Sequence, residues 1–419
     1  MNTENNLKFL FDFITEAKTP YHAVALAKRE LIQAGFAELS DASAPLKPDG
    51  KYFIVSDGSL IAFTNRKAPF RIVSSHTDQP CFKVKAQDSG VYARLLTEKY
   101  GGMIYHTWLD RPLTIAGKAV IRERAGVLAE RLVSLERKVV IPSVAIHLMR
   151  SQNESLSLDP KCDLLPLASI SCESDILSLV ADKCGCDKAD IISYDLSLVS
   201  AEAPTLVGLS SELILAPRID DLECVAASLL AFISSCEDNS SLTPVFAIFD
   251  NEEVGSDTKD GASSTLLSDV LKLISGSDID FMRLRAQSLN VSADNAHAKH
   301  PNHPELSDSA FAPVLGGGVV IKHNASRRYA TDAVSEALFT ELCSCRGVKL
   351  QHYYNRADLP GGSTLGSIAS TKSPMPTVDI GAPQLAMHSI LETAAVCDFY
   401  SMIEAFRAVY GKSVAIERK

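Results

Sequence analysis

Residues 245–253 read VFAIFDNEE, in which five apolar residues are followed by four acidic or amide residues. A short apolar run with such a boundary is typical of a strand that is buried on both faces of a sheet. Polar side chains directly after a buried strand are costly unless a positive group meets them. The adjacent Glu252 and Glu253 can divide two tasks, one binding a metal ion and the other carrying protons. A solvated loop is the simpler alternative, and we favour the functional interpretation.

The same pattern recurs at three other places in the chain. The runs IVSS, LNVS and TVDIG precede polar residues at 76–78, at 294–295 and, further on, at 388. Apolar residues have helical spacing in residues 6–16, 20–35, 222–236, 261–274 and 392–409. Strands that alternate with helices predict an α/β fold with a mostly parallel sheet flanked by helices. Ligands bind beyond the carboxyl ends of the strands in such a sheet, which is where the polar clusters lie.

The middle of the chain has a different character. Between residues 86 and 210 there are alternating, β-rich pieces such as GKAVIRERAGV and RKVVIPSVAIHL. A chain of 419 residues is also too long for one ordinary core. We therefore predict two domains, one formed by residues 1–85 and 211–419 and a second, inserted one formed by residues 86–210.

Charge and hydropathy exclude several classes of function. The formal net charge is −10 and there is no basic stripe, so a nucleic-acid partner is not expected. No run of 18 apolar residues is present, so no membrane span is expected. The first residues, MNTENNLKFLFDF, lack the basic and apolar regions of a signal peptide. These features predict a cytoplasmic protein.

The ten cysteines are scattered apart from the pairs Cys184/Cys186 and Cys343/Cys345. A CxC pair could bind a metal ion, but neither pair has a CxxC mate or a nearby histidine. Buried, reduced thiols are the better interpretation, and they suit a reducing compartment.

Each polar cluster has a simpler explanation when it is considered alone. His76 and Asp78 could be a solvated histidine and a capping aspartate, although this spacing also suits a metal ligand and its orienting carboxylate. Asp220 and Asp221 could cap a helix, and His388 could be a core histidine.

Considered together, the clusters supply the ligands of a metal site. Imidazole and carboxylate ligands suit zinc, and manganese or cobalt is also tolerated. Three ligand carboxylates and one hydroxide would balance the four positive charges of two divalent ions. The pattern therefore predicts a two-metal hydrolase.

In its sequence motifs the chain resembles the M18 family of metallo-aminopeptidases, that is, the aspartyl aminopeptidases and their bacterial relatives. The matching segments occur in family order across nearly the whole chain: SSHTDQPCFKVK, TWLDRPLTIAGKAVI, IPSVAIHL, APRIDDL, FDNEEVGS, SADNAHAKHPN, IKHN and GAPQLAMHSI. The resemblance implies a catalytic α/β domain of the zinc exopeptidase type with an inserted β-rich domain used in assembly. It also implies a homo-oligomer, a tetrahedral dodecamer.

The resemblance implies a complete set of metal ligands. The first ion would be held by His76, Asp294 and Asp220, and the second by Asp220, Glu253 and His388, with Asp220 as the bridge.

The remaining site residues follow from the same resemblance. Glu252 matches the general base and Asp78 the residue that orients the first histidine. His147 matches a histidine that enters a neighbouring subunit's substrate site, and Lys322 matches a lysine near the substrate's first side chain. A lysine at the end of a strand usually only extends to solvent. The expected activity is removal of an N-terminal residue, Asp or Glu, from peptides with a free N-terminus, by water that two metal ions activate.

Three positions depart from the family pattern. Asp221 stands where Asn is usual, Leu391 where Arg is common, and Gly361 where Cys is frequent. No predicted metal ligand is lost, so the departures concern specificity more than hydrolysis. The alternatives are an M18-type aminopeptidase of neutral specificity, a two-metal N-acyl amino acid deacylase and a non-catalytic scaffold.

Overall fold

The computed structural model describes residues 3–40, 45–171, 175–236, 241–359, 361–362 and 364–414. The chain divides into two compact units. The first comprises Met1–Asp78, Pro204–Met387 and Glu392–Lys419, and the second comprises Gln79–Ala203 and His388–Leu391. The inserted segment expected from the sequence starts and ends a few residues later than the second unit, and its role in assembly stays a prediction.

Helices occur mainly in the first unit. They are α1 (Thr3–Glu16), α2 (Pro20–Gln33), α3 (Ile176–Cys184), α4 (Ile219–Ser235), α5 (Leu266–Ser275), α6 (Asp278–Arg285), α7 (Ala333–Ser344), α8 (Leu365–Lys372) and α9 (Val396–Gly411). Short 3-10 turns lie at Tyr105–Trp108, Arg150–Asn153, Lys188–Asp190, Glu252–Val254 and Pro304–Leu306.

The strands are numbered in chain order. They are β1 (Ala37–Glu38), β2 (Lys51–Ser56), β3 (Ser59–Thr64), β4 (Phe70–His76), β5 (Cys81–Ser89), β6 (Ala93–Tyr100), β7 (Leu113–Arg124), β8 (Val127–Ser134), β9 (Leu167–Ser169), β10 (Ile191–Ser200), β11 (Thr205–Val207), β12 (Leu213–Ala216), β13 (Thr243–Phe249), β14 (Leu289–Ala293), β15 (Ala296–His297), β16 (Val319–His323), β17 (Leu350–Tyr354), β18 (Thr377–Gly381), β19 (Pro383–Leu385) and β20 (Glu392–Ala395).

The main sheet of the first unit has nine strands within the described residues, in the order β1-β2-β3-β13-β4-β14-β18-β16-β17. Five of its eight neighbouring pairs are parallel: β1 with β2, β13 with β4, β4 with β14, β14 with β18, and β16 with β17. The predicted α/β fold with a mostly parallel sheet is therefore confirmed.

Strand β13 shows why its sequence is continuously apolar. Val245, Ala247 and Phe249 pack into one buried cluster, which includes residues of α5. Phe246 and Ile248 pack into another, which includes residues of α4 and α9. Because successive side chains of a strand point to opposite faces, helices on both faces of the sheet leave no exposed position on β13.

The remaining sheets are smaller. In the second unit the described strands form an antiparallel sheet in the order β8-β7-β10-β5-β6-β9. The first unit has a further sheet in the order β11-β12-β20-β19-β15.

Three expectations about individual elements are corrected. Residues 392–395 form β20 rather than the start of a helix, because they pair with β12 and β19. Residues 137–148 form isolated bridges and a turn rather than a strand. Residues 261–265 precede α5 and are not part of it.

The cysteines of the described residues are free thiols. Of the two CxC pairs only Cys343 is buried, whereas Cys345 is exposed at the end of α7 and Cys184 and Cys186 are half-buried. The expectation of buried pairs is therefore wrong for three of these four residues. Among the described residues, every helix is too short or too polar to cross a membrane.

Candidate metal centre

Three adjacent parallel strands bring the polar clusters to one edge of the main sheet. Strand β4 ends at His76, β13 ends directly before Asp250, and β14 ends directly before Asp294. In the register of β13 and β4, Phe249 lies opposite His76. Parallel neighbours have their carboxyl ends at the same edge, so these side chains converge as the sequence predicts.

The beginning of α4 supplies two further carboxylates to this edge. The helix starts irregularly, since Arg218 has a φ of 60° and the peptide between Asp220 and Asp221 is cis. The backbone N–H of Asp220 donates a hydrogen bond to Oε2 of Glu392 over 3.0 Å. Oδ2 of Asp221 accepts a hydrogen bond from the backbone N–H of His76 over 3.1 Å. Both aspartates are buried.

The imidazole of His76 is held between two aspartates. Its Nε2 lies 3.3 Å from Oδ1 of Asp220, and its Nδ1 lies 3.0 Å from the carbonyl oxygen of Asp78. The Asp78 carboxylate accepts hydrogen bonds from the backbone N–H groups of Glu252 and Glu253, over 3.0 and 3.1 Å. Asp78 thus links the orientation of His76 to that of the two glutamates.

The possible ligand atoms form two groups, and within each group all of these atoms lie within 4.8 Å of one another. The first consists of His76, Asp220 and Glu253, and the second of Asp220, Asp221 and Asp294. Four of the five predicted ligands are therefore brought together, and Asp220 belongs to both groups. Asp221, which the sequence suggested as a helix cap and as a departure from the family pattern but not as a ligand, belongs to the second group.

Two predicted site residues belong to the second unit. His388 has a φ of 66°, and its carbonyl oxygen accepts a hydrogen bond from the backbone N–H of Ile104 over 3.0 Å. His147 lies in a turn and is exposed. The roles of His388 and His147 stay predictions.

Several carboxylates of the site are buried close together, and this shifts the pKa values of its ionisable groups. Burial raises the pKa of Asp221 well above its usual value and also raises the pKa of Asp294. Burial alone would lower the pKa of His76, but the neighbouring carboxylates, Asp220 first, raise this pKa well above its usual value. Burial and the charge of Asp294 raise the pKa of Glu252 to about 8. Such a cluster is costly without positive charge to balance it.

The donor set fits a divalent ion. The Oδ1 atom of Asp221 is buried and accepts no hydrogen bond from the described residues. The surrounding donors are one imidazole nitrogen and several carboxylate oxygens, which are ligands that zinc accepts. A cation would compensate the buried negative charge of these residues.

Lys322 adds a buried cation next to this cluster. Its Nζ lies 3.4 Å from Oδ2 of Asp294 and 5.6 Å from the centre of the Tyr329 ring. Burial lowers the pKa of Lys322, but the combined effect of Asp294, Tyr329 and Asp379 is larger and the pKa is raised. The side chain is almost fully buried, so the alternative that it extends to solvent is wrong.

Comparison with known proteins identifies the family. The family model described as aminopeptidase I zinc metalloprotease (M18) matches residues 13–410. This chain belongs to the M18 family of zinc metallo-aminopeptidases.

Relatives of this M18 aminopeptidase agree with that assignment. The chain is 39% identical over 433 residues to a protein of Clostridium acetobutylicum named "Probable M18 family aminopeptidase 2", covering 97% of this chain and 99% of the relative. The fold of this chain matches a chain in the cryo-EM structure of the Ape4 and Nbr1 complex, with a TM-score of 0.93, 33% identity, and coverage of 97% of this chain and 85% of the other. It also matches the S. cerevisiae mApe1 dodecamer, with a TM-score of 0.85, 26% identity and coverage of 97% and 98%.

The M18 site also contains supporting residues that sequence reasoning missed. Glu392 of β20 fixes the backbone of Asp220, and nothing in the local sequence around Glu392 indicates this pairing. Asp250 was expected to belong to the charged cluster, but its Oδ1 accepts a hydrogen bond from the N–H of Asn251 over 2.7 Å. A Cβ atom at Gly58 would come within 2.2 Å of the Asp250 carboxylate, so Asp250 packs closely against this glycine and shapes the turn.

Proposed function

We propose that this M18 aminopeptidase binds two zinc-type ions and uses them to remove single residues from the N-terminus of peptides. His76, Asp294 and Asp220 would hold one ion, and Asp220, Glu253 and His388 the other. The observation that carries this proposal is the position of Asp220. Its carboxylate is within ligand distance of the other members of both groups. A carboxylate common to two groups is suited to bridge two ions.

Glu252 is the general base of the proposed reaction. It precedes the ligand Glu253 in the same 3-10 turn, and both backbone N–H groups are fixed by Asp78. When bound, the ions supply positive charge that polarises the scissile carbonyl and lowers the pKa of water from 15.7 toward about 7. The Glu252 carboxylate accepts the proton of the attacking water and later donates it to the leaving amine. Asp78 acts as a positioning residue for His76 and for this turn.

The proposed substrates are peptides with a free N-terminus and an acidic first residue. The buried ammonium of Lys322 lies beside Asp294. A substrate carboxylate near Lys322 would gain a second ion pair in a site where charges are weakly screened. A neutral first side chain would gain no such partner, which favours Asp and Glu over Leu.

The proposed assembly is a homo-oligomer, a dodecamer like that of S. cerevisiae mApe1. His147 is flanked by apolar side chains that are exposed in the single chain, at Val144, Ile146 and Leu148. Exposed apolar side chains in one segment are typical of a surface that another subunit covers. We therefore assign His147 to the substrate site of a neighbouring subunit. We also place the enzyme in the cytoplasm.

The experiment that tests the proposed function compares a free and a blocked substrate. Purified enzyme loaded with zinc should release the first residue from Asp-Leu-Phe and leave N-acetyl-Asp-Leu-Phe intact. Chelation should abolish the activity and added zinc should restore it. Equal hydrolysis of the two peptides would identify an enzyme that does not need a free amine, and no hydrolysis of either would favour the scaffold.

A further inference from the structure

A second cluster of imidazole and carboxylate groups lies away from the candidate catalytic centre. His323 ends β16, His352 lies in the neighbouring parallel strand β17, and Glu336 lies in the first turn of α7. Their ligand atoms come within 4.8 Å of one another. The three residues are far apart in the sequence, so only the fold brings them together.

The distances in this cluster match those of a zinc site. Nε2 of His323 lies 3.1 Å from Nδ1 of His352. Oε1 of Glu336 lies 3.5 Å from Nδ1 of His352 and 3.9 Å from Nε2 of His323. Ligands about 2.0–2.1 Å from a tetrahedral zinc ion are roughly 3.3–3.4 Å from one another, and the three observed distances bracket this value.

We propose that His323, His352 and Glu336 form an additional zinc site, with water as the fourth ligand. Two nitrogen ligands and one oxygen ligand favour zinc over calcium or magnesium, which prefer oxygen ligands only. The side chains are 12%, 39% and 31% exposed, so an ion and a water molecule can enter from solvent. The cluster does not depend on the proposed catalytic ions.

The site is held in place before any ion binds. The ring of His323 stacks on Tyr354, with centroids 4.5 Å apart and an angle of 4° between the planes. Asp332 caps α7 through hydrogen bonds from the N–H groups of Val334 and Ser335, which fixes the turn that carries Glu336. Ordered ligands lose little conformational entropy on binding, and this favours the ion.

The contact between the two imidazoles also suits an ion. The 3.1 Å contact between the two imidazoles requires one nitrogen to donate and the other to accept. An ion would replace the shared proton, and zinc binding would release it.

Lys322 and His323 are neighbours on β16, and their side chains point to opposite faces of this strand. Lys322 contacts Asp294 of the catalytic cluster, whereas the adjacent His323 contacts residues of β17 and α7. Successive side chains of a strand point to opposite faces, which accounts for this separation. Zinc in the additional site would tie the end of β16 to β17 and α7.

Zinc counting on the whole enzyme tests this proposal. The zinc-loaded protein is dialysed until only tightly bound ions remain, and it is then titrated with zinc chloride while bound zinc is measured. Wild type should take up one additional ion per chain. Glu336→Gln and His352→Ala should bind it about tenfold more weakly or worse, because each lacks one of the three ligands.

The control is Glu341→Gln, which makes the same change at an exposed position of the same helix. It should bind the additional ion as wild type does, and peptidase activity should be retained in all three variants, which shows that they are folded. No additional ion in wild type would overturn the proposal. An additional ion that Glu336→Gln and His352→Ala keep with unchanged affinity would also overturn it, because it would then lie elsewhere.

Discussion

His76 contacts three aspartates, each in a different way. The carboxylate of Asp221 accepts a hydrogen bond from the backbone N–H of His76. The carbonyl oxygen of Asp78 lies at hydrogen-bond distance from Nδ1 of the imidazole, and the carboxylate of Asp220 lies beside its Nε2. The imidazole therefore has its Nε2 directed at the carboxylate that belongs to both ligand groups. An orienting contact of this kind sets the tautomer of a metal-binding histidine.

The proposed bridging role of Asp220 predicts unequal metal losses in two variants. Asp220→Ala should lose both catalytic ions, because each would lose a ligand and the charge that holds the pair together. His388→Ala should mainly weaken one ion. Metal analysis of the purified, dialysed variants measures the difference. Two tightly bound catalytic ions in Asp220→Ala would show that the bridge assignment is wrong.

Glu223 makes stability depend on pH. It is buried, its Oε2 accepts a hydrogen bond from Nδ2 of Asn295 over 3.1 Å, and burial raises its pKa from 4.5 to about 8. Since the folded-state pKa is the higher one, its contribution to stability is complete below pH 4.5 and is lost as the pH rises through 8. At about 1.36 kcal/mol per pKa unit, this loss is roughly 2–3 kcal/mol between pH 6 and pH 9.

The variant Glu223→Gln should remove that dependence, because an amide cannot ionise. Its free energy of unfolding relative to wild type should rise between pH 6 and pH 9, as measured by urea denaturation. The exposed Glu130→Gln is the control and should leave the pH dependence unchanged. If Glu223→Gln and wild type respond to pH in parallel, Glu223 is not the responsible group.

At the scale of single elements, β16 carries the lysine on which the proposed preference for an acidic first residue depends. Lys322 is the last buried residue of this strand. Lys322→Met should reduce kcat/KM for Asp- and Glu-peptides while leaving Leu-peptides much less affected, because the ammonium is lost and the volume is nearly kept. The measurement is kcat/KM for Asp-, Glu-, Leu- and Lys-peptides in both proteins. A wild type that prefers Leu, with an unchanged ranking in Lys322→Met, would contradict the acidic preference.

Elements whose signal is local could be predicted from the sequence. The buried strands β4, β13, β14 and β18 follow from short apolar runs, because burial on both faces requires apolar residues throughout. Residues 392–395 could not be assigned in this way. They have helical spacing, but hydrogen bonds to β12 and β19 make them a strand, and such pairing depends on distant parts of the chain.

At the scale of the whole molecule, the proposed role of His147 connects activity to assembly. His147→Ala should form oligomers of low activity, and so should Glu252→Gln. Mixed oligomers of the two variants should recover part of the activity, because a subunit with Glu252 can receive His147 from its neighbour. Light scattering coupled to the assay measures both size and activity. A fully active monomer, or no recovery on mixing, would contradict the role of His147 in the neighbouring site.

The site could be predicted from the sequence only where family motifs mark it. His76, Asp220, Glu253 and Asp294 belong to such motifs, and the structure brings them together. The contact of Asp221 with His76 joins the start of α4 to the end of β4, and the sequence around either residue does not indicate it. The cluster of His323, Glu336 and His352 has no local signature, because its members come from separate elements that only tertiary packing unites.

The most direct test of the two-ion mechanism is Glu252→Gln, assayed for turnover and for bound metal in the same preparation. The amide cannot accept a proton, so kcat should fall by ~10² or more, while both ions remain because Glu252 is not a ligand. Glu253→Gln is the matched control, and it should lose metal as well as activity. Near-normal turnover in Glu252→Gln, or loss of its metal ions, would contradict the assignment of Glu252 as the general base.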